Sequence, residues 1–203
     1  QYVQDIFDTL QFLGIPWDEG PKNYEAYINK FSQLHRMPLY EKALKQLRES
    51  GQVFACNCSR TTREACTCRN KNLSLDDAAN AWRIYTPADA PLPEFIVKKK
   101  DGCPSYQLGC VVDDHHYNVD LIVRGDDLQE SSKAQLYLAG ILGYESFVNS
   151  TIHHHQLLME SPGQKLSKSA GSTSIQHLRQ QGKSPAEIFE LISTIAGSKA
   201  PIR

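Results

Sequence analysis

The chain has 203 residues, 40% of them hydrophobic, which is enough for one globular domain or for one domain with a small appendage. Its formal net charge is -1, and this balance excludes a uniformly basic nucleic-acid-binding surface but not a local basic groove. No apolar run approaches the ~20 residues of a membrane span, and no signal-peptide pattern is present.

The first part of the chain has the spacing of amphipathic helices. A helix is predicted up to Leu13, with Gly14 as its stop, and its apolar positions are Val3, Ile6, Phe7, Leu10 and Leu13. A second helical region is predicted from Tyr24, restarting at Pro38 and ending at Gly51. Both helical regions are expected to pack against a core.

Four of the six cysteines lie within one short polar segment, at Cys56, Cys58, Cys66 and Cys68. No secretory signal accompanies them, and reducing compartments keep thiols free, so the cluster favours a metal over disulfides. Four thiolates in paired Cys-x-Cys spacing suit a tetrahedral, structural Zn²⁺. Buried free cysteines are the alternative.

Short apolar runs bounded by polar turns predict strands. These are residues 81–85, 94–98, 106–112, 119–123 and 147–152, while residues 53–55 are a short apolar run that leads into the cysteine cluster. A helix is predicted over residues 129–142, with Gly143 as its stop and with Ser132 and Gln135 as a capping box. Strand–helix–strand alternation after residue 104 predicts an α/β core, and the segment before it a separate α+β insertion.

A last helix is predicted to begin at Ser184-Pro185-Ala186-Glu187. The serine would be the N-cap, the proline the first helical residue and the glutamate the partner of the serine in a capping box. Gly197 would end this helix.

The stretch Lys165-Leu166-Ser167-Lys168-Ser169 lies between Gly163 and Gly171 and predicts a mobile loop. Two ammonium groups on such a loop can close on a polyphosphate and stabilise the charge that builds up as a P–O bond breaks. On its own, this pattern more often belongs to a solvated surface loop.

Together with three further blocks, this loop resembles the glutamate-type class I aminoacyl-tRNA synthetases. Residues 104–108, 111–115 and 123–128 resemble the family's PTYHLA, VVDDH and VIRGEDL motifs, and residues 165–169 its KLSK loop. Residues 12–21 resemble its LGLDWDEGP segment. The resemblance implies an α/β fold: a Rossmann-like catalytic core with a parallel sheet, an α+β zinc-bearing insertion and a short C-terminal helical segment.

The resemblance also implies a division of the chain into four parts. Residues 1–22 would end the first half of the nucleotide-binding core, and residues 23–103 would form an acceptor-type insertion with the cysteine cluster. Residues 104–160 would form the second half of the core. Residues 161–203 would hold the KLSKS loop and the C-terminal helical segment.

The implied reaction is attack of the glutamate α-carboxylate on the α-phosphorus of ATP, with Mg²⁺, followed by glutamyl transfer to tRNA. A carboxylate is already ionised at neutral pH, so no general base is needed. The protein would catalyse the reaction by positioning the substrates and stabilising charge. Lys165 and Lys168 are the expected catalytic residues. With Ser167 and Asp126 they would form the ATP site.

Two residues match family positions that contact glutamate, Tyr106 and Arg124. A guanidinium can hold the side-chain carboxylate with two parallel hydrogen bonds. We expect both residues on neighbouring strands facing one pocket; a core tyrosine and a surface arginine are the alternative. Asp113, Asp114 and His115 match the family's VDDH motif, and structural turn residues are an equally good interpretation of them.

The zinc ligands implied by the resemblance differ in how well they match. The queuosine branch of the family often carries CxC followed by Tyr-x₃-Cys, which supports Cys56, Cys58 and Cys68. Glu64 stands at the position of that tyrosine, while Cys66 offers a different fourth ligand. Residues 153–155 are three histidines, but in a strand they alternate faces and are not expected to form one metal site.

The length of the chain bears on which RNA group would accept the glutamyl group. Full glutamyl-tRNA synthetases carry a long C-terminal anticodon-binding region, whereas glutamyl-queuosine tRNA(Asp) synthetases lack it and modify an anticodon base. The chain ends at Arg203, soon after the KLSKS loop, which favours the short branch. The alternatives are a glutamyl-tRNA synthetase that charges the tRNA 3′ end and an inactive paralogue that binds RNA.

The sequence departs from the family pattern in one respect. It does not contain the HIGH motif or the first strand and helix of the nucleotide-binding fold. Gln1 is not an initiator methionine, and residues 1–13 have the pattern of the middle of a helix, so we expect the missing elements upstream. The resemblance further implies a cytoplasmic, monomeric enzyme.

Overall fold

The structure is a computed structural model that describes residues 2–59, 66–87, 92–157, 159–161, 164–165 and 174–195. The chain divides into two compact units, one of Gln1–His35 with Gln156–Arg203 and one of Arg36–His155. The division into four functional parts at residues 22, 103 and 160 stays a prediction.

The regular elements follow one another along the chain as helices and short strands. They are α1 (Tyr2–Phe12), α2 (Tyr24–Ala26), α3 (Met37–Glu49), β1 (Val53–Cys56), β2 (Ala81–Ile84), β3 (Ile96–Lys98), α4 (Tyr106–His116), β4 (Leu121–Gly125), α5 (Gln129–Leu142), α6 (Glu145–Val148), β5 (Thr151–His155), β6 (Met159–Ser161), β7 (Gln164–Lys165), α7 (Ile175–Gln180) and α8 (Pro185–Ile195). None of the helices in the described ranges is long and apolar enough to cross a membrane.

The unit of Arg36–His155 contains two sheets and the helices that cover them. β1, β2 and β3 form an antiparallel sheet in that order, and β4 pairs with β5 in parallel. One apolar core joins the antiparallel sheet to α3, α4 and α5; its fully buried members include Tyr40, Leu47, Ile84, Leu108 and Phe147. The predicted α/β fold with a parallel pair of strands is therefore confirmed.

Residues 106–112 form the start of α4, so the strand predicted there is wrong. Ser105 is extended and its Oγ accepts a hydrogen bond from the Leu108 backbone N–H at 3.3 Å, which is an N-cap. Leu108, Val111 and Val112 are buried at the three- and four-residue spacing of one helix face. A short apolar run fits a buried strand and a buried helix equally well, and here the cap decides.

Two further predictions in this unit are wrong. Residues 147–152 do not form one strand, because α6 ends at Val148 and β5 begins at Thr151. Ser132 and Gln135 do not cap α5, because the helix begins at Gln129 and both residues lie inside it. The predicted stop at Gly143 is confirmed, since this glycine has a φ of 70° that favours a residue without Cβ.

The unit of Gln1–His35 with Gln156–Arg203 is mainly helical where it is described. The predicted helix α1 and its stop at Gly14, with a φ of 64°, are confirmed. The region after Tyr24 is less regular than predicted: α2 continues into a π-helical turn at Tyr27–Phe31 and a 3₁₀ turn at Gln33–Arg36.

At the other end of this unit, β6 and β7 pair as an antiparallel hairpin. The predicted start of α8 is confirmed, because Ser184 and Glu187 form a reciprocal capping box. The predicted stop of α8 at Gly197 lies outside the described residues.

Candidate functional site

Arg124 is an almost buried cation near the end of β4. Only 9% of its surface is exposed, because alternate residues of the strand point inward. Its Nη1 donates hydrogen bonds to Gln135 Oε1 at 2.7 Å and to Ser132 Oγ at 3.3 Å, both from α5. In the described ranges, the other edge of the guanidinium, Nε and Nη2, makes no hydrogen bond. This edge has the fork geometry that binds a carboxylate with two parallel bonds.

Ser132 connects Arg124 with His154 of β5. Its Oγ accepts from Arg124, donates to the Leu128 carbonyl at 3.1 Å and lies 2.9 Å from His154 Nε2. Arg124 and His154 are paired residues of the parallel strands, and the serine fixes both side chains.

Three residues of α4 lie near Arg124, namely Tyr106, Cys110 and Asp114. They are four residues apart and therefore share one face of the helix. Burial raises the pKa of each of the three groups, and the positive charge of Arg124 opposes this rise in each case. Tyr106 is 54% exposed, so this face reaches the surface of the unit.

The structure thus brings Tyr106 and Arg124 together, although not on neighbouring strands as predicted. Tyr106 is the first residue of a helix, and the packing of α4 against α5 places it near the guanidinium. Sequence reasoning missed Cys110, Ser132 and Gln135. The four-residue spacing from Tyr106 could have identified Cys110 if the helix had been recognised.

Asp113 faces away from this cluster and ties α4 to α3. Its two carboxylate oxygens accept from Arg36 Nε at 2.7 Å and Nη2 at 3.0 Å, and the Tyr40 hydroxyl donates to it at 2.6 Å. The hydrogen bond to Asp113 raises the pKa of Arg36, and burial followed by Asp113 raises the pKa of Tyr40. Asp113 therefore has the structural role that the sequence left open.

His115 of the VDDH motif and the three histidines of residues 153–155 differ in their contacts and exposure. His115 stacks on Tyr144 with ring centroids 4.0 Å apart, and its Nδ1 lies 2.6 Å from Ser146 Oγ. In β5, His153 and His155 are exposed while His154 is half-buried, so the expected alternation of the histidines is confirmed.

The predicted ATP-binding residues are only partly described. Asp126 opens the 3₁₀ turn Asp126–Leu128 directly after β4, and its Oδ1 accepts from Gln129 Nε2 at 3.3 Å. The backbone of Lys165 ends β7. Ser167 and Lys168 lie outside the described residues, as does Glu64, so their predicted roles stay predictions.

The four clustered cysteines meet at the end of β1. Their sulfur atoms all lie within 4.8 Å of one another, with 3.7 Å between Cys56 and Cys66 and 3.6 Å between Cys58 and Cys68. Tetrahedral coordination with Zn–S bonds of about 2.3 Å requires sulfurs about 3.8 Å apart. The four sulfurs therefore fit a metal ion, and Cys66 is positioned as the fourth ligand.

The protonation of these thiols is uneven. Burial raises the pKa of Cys58 to about 12 and raises that of Cys56. Burial acts in the same direction on Cys66, but the backbone N–H of Cys68 and the neighbouring thiols outweigh it and lower the pKa of Cys66 to about 7. A thiolate is the form that binds metal, so Cys66 is a more readily ionised ligand than Cys56 or Cys58.

Comparison with known proteins links this geometry to a family. Residues 60–200 match the family described as "tRNA synthetases class I (E and Q), catalytic domain". Glutamate–tRNA ligase 2 of Syntrophus aciditrophicus is 27% identical, over 95% of this chain and 46% of that protein. A glutamyl-Q tRNA(Asp) synthetase of Parasynechococcus marenigrum is 30% identical, over 98% of this chain and 67% of that protein.

Among solved structures, the glutamate-tRNA synthetase of Elizabethkingia anophelis matches with a TM-score of 0.66 and 17% identity, over 94% of this chain and 50% of that one. The chain thus spans about half the length of the glutamate–tRNA ligases that it matches. The family match covers more than half of the chain and agrees with the α/β architecture. The chain therefore belongs to the catalytic-domain family of the class I tRNA synthetases for glutamate and glutamine.

Proposed function

We propose that this chain activates glutamate with ATP and passes the glutamyl group to RNA. The observation that carries the proposal is Arg124, a buried cation whose Nη1 is held by α5 while its Nε–Nη2 edge is left for a ligand. That edge suits the side-chain carboxylate of glutamate. Glutamine is disfavoured, because its amide offers one acceptor oxygen instead of two and adds N–H groups that face a donor-only guanidinium.

In the activation step, an oxygen of the glutamate α-carboxylate bonds to the α-phosphorus of ATP. The bond from that phosphorus to the β-phosphate oxygen breaks, and pyrophosphate leaves. Lys165 and Lys168 are proposed to stabilise the charge on the pyrophosphate as point charges, with Ser167 and Asp126 contacting ATP. Mg²⁺ would neutralise part of the phosphate charge. Tyr106 would add a hydroxyl contact to glutamate.

The proposed acceptor is queuosine of tRNA(Asp). Its support is the similarity to a relative named glutamyl-Q tRNA(Asp) synthetase, which is 30% identical over 98% of this chain. The second candidate is charging of the tRNA 3′ end, since relatives with the ligase name match the chain equally closely.

The cysteine cluster is proposed to bind a structural Zn²⁺. Its support is the set of four sulfurs at tetrahedral spacing and the soft thiolate donors, which zinc prefers. When bound, the ion would cross-link the end of β1 to the Cys68–Asn70 turn. Metal analysis of protein purified without chelator tests this; protein free of zinc would refute it.

Pyrophosphate exchange by the full-length protein tests the activation step. We expect exchange that depends on glutamate and proceeds without tRNA, followed by transfer to tRNA(Asp) that carries queuosine. Exchange that strictly requires tRNA would favour the ligase. A full-length protein that binds no ATP would refute the enzymatic function.

Substitution of Arg124 tests its proposed role in binding the side-chain carboxylate of glutamate. We expect Arg124→Lys to lose most of the preference for glutamate over glutamine in pyrophosphate exchange, because an ammonium group cannot form the two parallel bonds. Arg48→Lys is the matched control, since Arg48 also pairs with a carboxylate, Asp76, but lies exposed on α3. An Arg124→Lys enzyme that still discriminates as the parent does would contradict the assignment.

A further inference from the structure

Arg83 is a buried arginine in the middle of the antiparallel sheet, with 6% of its surface exposed. In the pairing of β1 with β2, Phe54 lies opposite Arg83 and Cys56 lies opposite Ala81. Directly paired residues, and residues two apart on a strand, share a face of the sheet. Arg83 therefore lies on the same face as Cys56 and diagonal to it, and the small Ala81 leaves room between them.

The hydrogen bonds of Arg83 are incomplete. Its Nη2 donates to the Glu94 carbonyl at 2.6 Å, and its guanidinium lies 5.9 Å from the centroid of the Phe54 ring. Nε and Nη1 are buried and have no hydrogen-bond partner of standard geometry in the described part of the chain. A buried cation with unpaired donors is costly unless an anion lies near it.

The strand pairing makes Cys56 the candidate anionic partner of Arg83, because the two side chains are diagonal neighbours on one face of the sheet. Of the other cations near the cysteines, Arg69 is paired with Glu94 Oε1 at 3.0 Å, and Lys100 is an exposed residue whose Nζ donates to the Asn57 carbonyl at 2.9 Å. Arg83 differs from both because it is buried and because no ion pair to a carboxylate engages it in the described ranges.

We propose that Arg83 is the buried counter-charge of the metal centre, donating one of its two unpaired N–H groups to the Cys56 thiolate when the four cysteines hold a metal ion. The inference rests on the proposed metal site. Four thiolates around a divalent cation carry a net charge of about −2, which burial penalises. Arg83 offsets part of that charge, and the thiolate satisfies one of the two unpaired donors. It acts through Cys56 and is a positioning residue rather than a ligand.

Metal affinity measured by competition with a chromophoric chelator tests the proposal. Neighbours that hydrogen-bond metal ligands typically contribute 10–100-fold to affinity, so we expect Arg83→Met to bind Zn²⁺ about 10–100-fold more weakly than the parent. Methionine fills much of the volume of the arginine stem but carries neither charge nor donor. Lys100→Met removes an exposed cation beside the same loop, and we expect it to bind within about threefold of the parent.

A second variant separates the charge from the packing. Arg83→Lys keeps the charge, and we expect it to bind Zn²⁺ more tightly than Arg83→Met does. If Arg83→Met does not fold, Arg83→Lys is compared with the parent and should keep a substantial part of its affinity. Cobalt in place of zinc adds a spectroscopic measurement, because the thiolate-to-metal charge-transfer band reports on hydrogen bonds to the sulfurs. We expect this band to shift in Arg83→Met and to stay unchanged in Lys100→Met.

The outcomes distinguish the inference from the metal site on which it rests. If the parent binds no metal, both are refuted. If the parent binds metal and a folded Arg83→Met variant binds it within threefold, with an unchanged cobalt spectrum, the metal site stands and the role of Arg83 is refuted. Equal losses in Arg83→Met and Arg83→Lys would show that packing, not charge, is what the arginine supplies.

Discussion

Gln135 is a fully buried amide that binds Arg124, one of the two predicted glutamate-binding residues. Its Oε1 accepts from Arg124 Nη1 at 2.7 Å, and because arginine is only a donor, the oxygen of the amide must face it. The Nε2 group is buried and has no hydrogen-bond partner of standard geometry in the described part of the chain. One side chain on α5 therefore orients the guanidinium on β4.

Removing this amide should weaken binding of glutamate selectively. We expect Gln135→Met to raise KM for glutamate about 10-fold or more, because a hydrogen bond to a charged group contributes about 1.5–3 kcal/mol. KM for ATP should change little. Both constants come from pyrophosphate exchange by the full-length enzyme.

The matched control for this variant is Gln107→Met. Gln107 is a partly buried amide next to Tyr106 that donates to Ser131 rather than to Arg124. We expect its two KM values to stay near those of the parent. Equal rises in KM for glutamate and for ATP in Gln135→Met would indicate general loss of structure and would contradict the positioning role.

At the scale of elements, α4 is held by contacts on two sides. One face carries Tyr106, Cys110 and Asp114 near Arg124. Asp113 lies next to Asp114 in sequence but bonds to Arg36 and Tyr40, at the N-terminal end of α3. Two adjacent aspartates thus serve the site and the packing respectively, since consecutive helical residues point about 100° apart.

The tie between α3 and α4 should be measurable in unfolding. We expect Tyr40→Phe to lower the free energy of unfolding by about 1.5–3 kcal/mol, because it leaves the partly buried Asp113 carboxylate without one donor. Urea denaturation followed by circular dichroism measures the change. Tyr117→Phe is the control, since its exposed hydroxyl bonds to Arg36 at 3.2 Å and its loss should cost less. Equal losses would contradict the assignment.

The start of α8 should respond to pH through Glu187. The side-chain bond from Lys183, followed by bonds from Ser184, lowers the pKa of Glu187 to about 2 from its ordinary 4.5. A carboxyl group with a lowered pKa stabilises the fold fully above pH 4.5, and this contribution is lost as the pH falls towards 2. The NMR titration of the Glu187 carboxyl carbon should therefore have its midpoint near 2.

A variant separates the two causes of this shift. Lys183→Met removes the larger one, so the midpoint should rise part of the way towards 4.5, while the capping bonds from Ser184 keep it below that value. A midpoint of 4.5 in the parent would refute the capping box in solution.

At the scale of the whole molecule, each of the two compact units has its own packing. Within the unit of Arg36–His155 there is a large apolar core and a smaller one. The smaller core contains Phe54, Cys56 and Cys68, with Tyr85 packed against them. Its rings and thiols bury little apolar area, so this region depends on cross-linking more than the large core does.

Metal removal should therefore loosen the smaller core and leave the large one folded. After chelation we expect faster hydrogen exchange in residues 54–58 and 66–70, with protection of α4 and α5 retained, and recovery when zinc is added back. Hydrogen exchange with mass spectrometry measures this. Unchanged exchange in the cysteine segment after complete metal removal would contradict a structural role for the ion.

Local signals along the chain determined much of the fold. The stop of α1 at Gly14, the whole of α5 up to Gly143 and the capping box of α8 were predicted because each depends on neighbouring residues. The Cys-x-Cys pairs likewise indicated four convergent sulfurs. The family was recognisable from its motifs alone, and the match over residues 60–200 confirms it.

Only the tertiary structure decided which polar residues share a site. Residues 106–112 are as apolar as a buried strand, and it is the Ser105 cap and packing against α5 that make them a helix. Gln135 has ordinary surroundings in sequence, and its partner Arg124 comes from another element. Contacts between residues far apart in the chain depend on the packing of whole elements, which no local pattern encodes.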